Sequence, residues 1–319
     1  MSHQLLPEGF HGVMEPITAQ ITALKPDDYW YEVKWDGVRL VIIIDREEVT
    51  VINRHGRNKT IQFPELQKLP EYLNCRTAVI DGEGVVIQNN RPGFAAVIKR
   101  NNRQTEPPAQ LLSELPLTYM MFDLLAINDK SLLNWRYEDR KQKLHEILSP
   151  YEQFQEVDKI ASGIDLWTAV QTLNLEGIVA KKKGSIYQAG KHHHSWFKIK
   201  HRRQEWCVIG GYTLQGSNIN ALLLGKPSGR QLRYVGRVGL SKEYANNEAF
   251  LSSLRQMVKK SNPFDDVALI KTGSNFIIPL LGALVEYAEW TPELRLRHPV
   301  LKTIMPLSML SAQEVNYNA

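Results

Sequence analysis

Tyr31-Glu32-Val33-Lys34-Trp35-Asp36-Gly37-Val38-Arg39 is the stretch on which both fold and chemistry turn. Trp30, Glu32 and Lys34 fall on one face of a period-two pattern, which predicts a strand. Asp36-Gly37 is a turn signal, and the apolar run Leu40-Val41-Ile42-Ile43-Ile44 follows it. Lys34 is therefore expected at a strand-to-turn junction. A free lysine has a pKa near 10.4, so at neutral pH only about one in a few thousand is unprotonated and able to attack an electrophile. Desolvation, neighbouring cations or a metal-bound substrate would lower that value. A lone Lys-x-Asp-Gly more often marks a surface lysine beside a hairpin turn, so the partners along the chain decide.

A chain of 319 residues with 43% hydrophobic residues can bury a substantial core, and the length favours two domains. The formal net charge of +5 permits a polyanionic partner without requiring one. Cys75 and Cys207 are the only cysteines, so no disulfide framework is implied and a reducing cytoplasm fits. Met1 to Gly12 lacks a basic-then-apolar leader pattern. Phe276 to Val285, interrupted by Pro279 and Gly282, is about half the length a membrane span needs. The expectation is a soluble intracellular protein with no membrane association.

Val49–Ile52 running into Asn53-Arg54-His55-Gly56-Arg57 reads as strand, polar turn, strand. Ala78–Ile80 running through Asp81-Gly82-Glu83-Gly84 into Val85–Ile87 reads the same way. Leu117–Leu125, Gly177–Ala180 and Ser195–Ile199 are further strands, and Trp135–Leu148 has helical spacing. Their polar residues face a common cleft if these strands share a sheet. The pattern changes around His201-Arg202-Arg203-Gln204-Glu205, which predicts domains 1–203 and 204–319. Beyond it, strands at Trp206–Thr213, Ala221–Gly225 and Leu232–Val238, a helix over Lys242–Lys260 and a strand pair over Ser274–Trp290 suggest a small Greek-key barrel of the oligonucleotide-binding (OB) type. The expected class is α+β, with antiparallel sheets flanked by helices and a C-terminal OB-fold β-barrel.

In chain order the polar punctuations are Glu32, Lys34, Arg39, Arg54, Glu83, Glu176, Lys181, Lys198 and Lys200, with Phe122 and Trp196 as aromatics close to them. This is an inventory for handling a nucleotide: a nucleophile, two carboxylates for a divalent metal, cations for phosphates and an aromatic plate for a base. No Gly-rich phosphate loop of the Walker type is present. That argues against kinase or ATPase chemistry and for direct side-chain attack on an α-phosphate.

Lys34-Trp35-Asp36-Gly37 resembles the nucleophile motif of the covalent nucleotidyltransferases, the superfamily of ATP-dependent DNA ligases, RNA ligases and mRNA capping enzymes. Arg54-His55-Gly56 resembles their second motif, Asp81-Gly82-Glu83 their acidic strand turn and Phe122-Asp123-Leu124-Leu125 their adenine-stacking strand. Glu176 to Lys181 is similar to the fourth motif, and Trp196 to Lys200 to the fifth. Tyr31 to Gly37, Ile209 to Thr213 and Glu289 to Pro299 together look most like the ligase module of bacterial end-joining DNA ligases.

The resemblance implies an adenylation domain in which Lys34 attacks the α-phosphate of ATP to give lysyl-AMP and pyrophosphate. It further implies that Glu32 faces the adenine, that Phe122 stacks on it with Trp196 close by, and that Arg39 and Arg54 contact phosphate or ribose. Glu83 and Glu176 would bind or orient Mg2+ or Mn2+, while Lys198 and Lys200 hold the α-phosphate and stabilise transition-state charge. Taken singly, Glu83 and Glu176 read equally as turn residues, Phe122 as core, and Arg39 as the partner of a nearby carboxylate. The family's basic C-terminal motif has only an imperfect counterpart, with Arg295, Arg297 and Lys302 as candidates for orienting pyrophosphate. From Gly177 through Gln204 there are eight Lys or Arg and no acidic residue, a stretch suited either to a phosphate backbone or to a solvated basic face. His192-His193-His194 on a strand cannot all face one metal, so no zinc site is expected.

The implied substrate is nicked or broken double-stranded DNA, sealed by a monomeric, minimal two-domain ligase of the bacterial nucleoid, with a break-binding ring protein as a recruiting partner. An RNA ligase or GTP-dependent capping enzyme shares the lysine chemistry and remains open. So does a nucleic-acid-binding protein with a dead catalytic domain, although none of the motif residues is substituted.

Overall fold

Val38–Asp45, the apolar run behind Lys34, is paired by strands on both sides and buried on both faces. The computed structural model describes residues 6–88, 91–149, 151–190, 192–265, 270, 273–291 and 293–311. The chain divides into two units, 1–201 and 202–319, two residues before the division expected from sequence.

In chain order the first unit contains β1 (Glu15–Thr18), β2 (Tyr29–Val33), β3 (Val38–Asp45), β4 (Glu48–Asn53), β5 (Thr77–Gln88), β6 (Arg91–Pro92), α1 (Phe94–Asn101), α2 (Ala109–Glu114), β7 (Leu117–Ile127), β8 (Lys130–Ser131), α3 (Tyr137–Ile147), β9 (Phe154–Glu156), α4 (Gly163–Thr172), β10 (Gly177–Lys182) and β11 (His192–Lys200). One sheet has the order β4-β3-β5-β7-β8, with β6 added to β5 and β9 to β7; the other has the order β1-β11-β10-β2. All pairings are antiparallel except β1 with β11 and β7 with β9.

The lack of alternation in β3 reflects its place between two apolar layers. Leu40, Ile42 and Ile44 pack with Val97 of α1, Leu111 of α2 and Leu144 and Ile147 of α3. Val41 and Ile43 on the opposite face pack with Val79, Leu125 and Trp196, which joins the two sheets. Each fully buried aliphatic contributes about 1.5–3 kcal/mol, so this strand alone ties three layers together.

Two expectations about this unit are corrected. Ala78 to Ile87 is one uninterrupted strand, not two strands about a turn. A Cβ on Gly82 would lie 2.5 Å from the Tyr119 ring, so that glycine serves close packing rather than chain reversal, and the register slips beside it. The polar residues also do not share one sheet: Arg39 and Glu83 lie on the larger, Glu32, Lys198 and Lys200 on the smaller.

The second unit contains β12 (Arg203–Gln215), β13 (Asn218–Ser228), β14 (Gln231–Gly239), α5 (Lys242–Ala245), α6 (Glu248–Gln256), β15 (Asn275–Phe276), β16 (Leu281–Tyr287) and β17 (Val300–Pro306). The antiparallel order is β14-β13-β12-β16-β17, with β15 on β12 and helices between the third and fourth long strands, the expected OB-type arrangement. Leu251 and Leu254 of α6 enter its core with Ile209, Leu222, Leu224, Val235 and Val285. The single helix expected over 242–260 is instead two, because Asn247 caps the second by accepting from Phe250 N at 3.0 Å. The final strand pair is β16 with β17 rather than a hairpin within 274–290. Pro279 cannot donate to a ladder and breaks that stretch. Among the described residues no helix is long and apolar enough to cross a membrane.

Candidate active site

Register places the polar residues of the smaller sheet together. Glu32 is opposite Val179, which is opposite Lys198, while Lys34 N donates to Gly177 O at 2.9 Å and Gly177 is opposite Lys200. With period two, Glu32, Lys34, Lys181, Trp196, Lys198 and Lys200 share one face. The other face, with Tyr31, Ile178, Ala180 and Ile199, packs against Val170, Leu166 and Trp167 around α4. The polar face looks toward the larger sheet, because Trp196 is buried among Val41, Val79 and Leu125.

Lys34 Nζ sits 2.5 Å from Glu176 Oε2, and Lys200 Nζ is 3.1 Å from Glu176 Oε1, so one carboxylate bridges two cations. Burial alone depresses the Lys34 pKa, but Glu176 and then Glu83 override it, and the net direction is upward. Burial, the first of the lowering influences expected, is thus outweighed by the carboxylates, and this arrangement holds Lys34 as a cation. Glu176 titrates below the usual carboxylate range, since Lys34 and Lys200 outweigh the opposing effect of burial. Lys198 is half-buried and its side chain makes no ion pair or hydrogen bond among the described residues; burial and then Lys200 lower its pKa.

Glu83, opposite Arg39 on β5, makes no side-chain ion pair or hydrogen bond among the described residues. Burial pushes its pKa up to about 8, against the pull of Lys34 and Arg39. Gly37 permits this juxtaposition. A Cβ there would lie 2.3 Å from Gly84 O and 2.9 Å from Glu83 Cγ, so only glycine lets the chain after Lys34 pass so close to β5.

Beside this group lies a buried polar cage. Lys181 Nζ is 2.8 Å from Glu32 Oε2, donates to Phe122 O at 3.1 Å, and lies 4.7, 4.9 and 4.3 Å from the ring centres of Phe122, Tyr137 and Trp196. Tyr137 OH donates to the other Glu32 oxygen. Burial is the main cause of the lowered Lys181 pKa. Phe122 is half-buried and meets Trp196 edge-on, with centroids 6.3 Å apart. Arg39 is tied down: Nε and Nη2 donate to Asp81 at 2.9 and 2.6 Å, and Nη1 to Met14 O at 2.7 Å. Tyr187 OH donates to the same Asp81 at 2.7 Å. Buried ion pairs of this kind specify a geometry more than they add stability.

A divalent cation fits the donors as far as they go. Among the described residues no three His, Cys, Asp or Glu cluster to form a ready cage. Two carboxylates, one of them unpaired, suit an ion such as magnesium that takes one or two protein oxygens and completes its shell with water and phosphate.

Residues 13–200 match the sequence profile described as the ATP dependent DNA ligase domain, and 215–306 that of the ATP dependent DNA ligase C terminal region. The chain belongs to the ATP-dependent DNA ligase family. It is 32% identical over 296 residues to the multifunctional non-homologous end joining DNA repair protein LigD of Mycobacterium tuberculosis, covering 90% of this chain and 37% of that protein. The chain therefore spans little more than a third of that relative's length. DNA ligase C of the same organism is 29% identical over 265 residues, 79% of this chain and 72% of that one. The solved ligase domain of M. tuberculosis LigD matches with a TM-score of 0.53 and 29% identity over 96% of this chain and 98% of that one.

Within this family member the structure brings Lys34, Glu83, Glu176, Lys198 and Lys200 together, with Glu32, Arg39, Phe122 and Trp196 beside them. Arg54 stands apart on an exposed turn, where its Nε donates to His55 Nε2 at 3.1 Å. Arg295 and Arg297 belong to the second unit, Arg295 lying 4.6 Å from the Tyr234 ring centre and Arg297 pairing with Glu289 at 2.6 Å. The basic stretch 177–204 is not a uniform cationic face, since Lys181 is buried on Glu32 and Lys200 is held by Glu176. Sequence reasoning missed Asp81, Tyr137 and Tyr187 as supports. Alternation from Glu83 puts Asp81 on the same strand face, but nothing local marks the two tyrosines.

Proposed function

We propose that the chain is an ATP-dependent DNA ligase that closes 5′-phosphate/3′-hydroxyl nicks or breaks during DNA repair. The observation that carries this reading is Lys34, at the end of β2, within 2.5 Å of a carboxylate that also holds Lys200, beside the unpaired Glu83. Residues 1–201 act as the adenylation domain and 202–319 as the OB-fold domain.

Lys34 must lose its proton to solvent before it attacks the α-phosphate; Glu176 holds the ammonium in place, and a cation taken up by Glu176 would draw its charge away and free that proton to leave. Lys198 and Lys200 bind the α-phosphate oxygens and stabilise the charge that builds there. The Nζ–P bond forms as the bond to pyrophosphate breaks, and Arg295 and Arg297 serve that leaving group. Phe122 stacks on the adenine, Glu32 with Lys181 faces it, and Trp196 backs the pocket. Arg54 contacts phosphate or ribose, and Arg39, fixed on Asp81, contributes its charge. Glu83 and Glu176 would hold magnesium or manganese, which neutralises phosphate charge. AMP then passes to a DNA 5′-phosphate, and the 3′-hydroxyl displaces it. We place the protein in the bacterial cytoplasm at the nucleoid, as a monomer recruited by a break-binding ring protein. Sealing of a nicked duplex with ATP and magnesium, beside RNA and double-strand-break substrates, tests the reading; sealing of RNA alone would refute it.

Two outcomes follow from the geometry. Below a pKa of about 8 Glu83 holds a proton that a cation must displace. Magnesium affinity is therefore expected to rise roughly tenfold per pH unit on approaching that value from below and then level off. Titration calorimetry from pH 6 to 9 checks this, and a flat profile would remove Glu83 from the metal. Gly37→Ala forces the chain off Gly84 O, with an expected cost of about 1–3 kcal/mol in chemical denaturation and at least a tenfold slower adenylation.

A further inference from the structure

Behind β16 the chain forms a hairpin that carries Arg295 and Arg297 on its returning arm. Ala288 N donates to Arg297 O at 3.0 Å, Arg297 N to Glu289 O at 2.9 Å and Thr291 N to Arg295 O at 2.8 Å. Two anchors tie this hairpin to the barrel. On the returning arm, Leu296 N donates to Val235 O at 2.9 Å and its side chain is buried in the barrel core. On the outgoing arm, Trp290 Nε1 donates to Tyr287 OH at 3.0 Å, and Tyr287 OH donates to Glu205 Oε2 at 3.1 Å. The other Glu205 oxygen pairs with Lys226 Nζ at 2.7 Å. Lys226 and Tyr287 are buried, so the relay crosses β13, β12 and β16 and ends on the hairpin.

We propose that Glu205, Tyr287 and Trp290 are positioning residues for the adenylation step, fixing the hairpin so that Arg295 and Arg297 meet the leaving pyrophosphate in one geometry. This rests on the reading that those arginines act on pyrophosphate. An apolar contact would fill the same space with no desolvation cost, whereas a buried ion pair extended through a hydroxyl to an indole is directional at every link. Both guanidiniums sit on the returning arm, which is hydrogen-bonded to the arm the relay fixes: Arg297 N donates to Glu289 O and its guanidinium pairs with Glu289 of that arm, while Arg295 lies beside Tyr234. A displacement of about 1 Å at a reacting centre costs on the order of 100-fold. Pyrophosphate leaves only in the first step, so closure of DNA already carrying AMP does not need the relay.

The test uses the full chain with Tyr287→Phe, which deletes the hydroxyl linking Glu205 to Trp290. Single-turnover AMP transfer from ATP, sealing of a pre-adenylated nick and thermal midpoint are measured beside an Arg295→Ala/Arg297→Ala protein. We expect Tyr287→Phe to slow AMP transfer about tenfold at saturating ATP while sealing of the pre-adenylated nick stays within about twofold. Trp290→Phe, which leaves the Glu205–Lys226 pair intact, should reproduce that split even if Tyr287→Phe folds poorly. Normal AMP transfer in both relay variants with slow transfer in the arginine variant would overturn the positioning role. So would an equal slowing of both steps, the sign of a merely loosened barrel. Full AMP transfer by the arginine variant would instead overturn the underlying reading of Arg295 and Arg297.

Discussion

Lys34→Ala is expected to form no protein–AMP adduct and to leave an ordinary 5′-phosphorylated nick unsealed. Covalent attack needs the amine, and no charge or hydrogen bond from a neighbour replaces a bond. Lys198 and Lys200 lie on the same sheet face but on β11, with β10 between it and Lys34, and Lys200 is committed to Glu176. In the final step AMP is already on the DNA, and Lys34 offers only charge, worth a few kcal/mol at most. The variant should therefore still close a pre-adenylated nick without ATP, slowly and with magnesium. A folded Lys34→Ala protein that still becomes labelled with AMP would move the nucleophile to another lysine.

Glu176→Ala should lower overall sealing by about 100-fold or more, because it removes the bridge between Lys34 and Lys200 and, on the proposed function, a metal carboxylate at once. The stability cost should be on the order of 1–2 kcal/mol, since two cations are left facing one another in a partly solvated cleft. Its pH dependence has a definite sign. The Glu176 pKa is depressed in the fold, so its contribution is present in full above about pH 5 and is lost as the pH falls through the lowered value. Denaturation of wild type and variant from pH 3 to 7 should show their difference shrink toward the acid end. A variant that seals at a near-normal rate would remove Glu176 from the site.

That Lys34, Glu83 and Glu176 come together was legible because their signals are local. Lys34, Glu83 and Glu176 each lie in a short motif whose alternation fixes the face, and register then brings three distant motifs together. What sequence could not show is how the cleft is held. Tyr137 reaches Glu32 across 105 residues and Tyr187 reaches Asp81 across 106, and neither tyrosine differs locally from a core aromatic. That carboxylates outweigh burial at Lys34 was hidden for the same reason, since Glu176 lies 142 residues away. Asp81-Gly82-Glu83-Gly84 was misread as a turn because glycine serves turning and close packing alike, and only the Tyr119 ring beside Gly82 shows which applies. The OB-type barrel was legible from the spacing of its Gly-punctuated strands, whereas the helix break at Asn247 depends on a single capping side chain.

The most direct measurement follows one labelled phosphate through the reaction. The wild-type chain is incubated with magnesium and ATP labelled at the α-phosphate, the protein is isolated and mapped by peptide mass, and nicked duplex is then added without further ATP. Label is expected on Lys34 alone, leaving the protein when DNA arrives and released as AMP as the nick closes. Label on any other residue, or a nick that closes while the labelled protein is left unchanged, would contradict it.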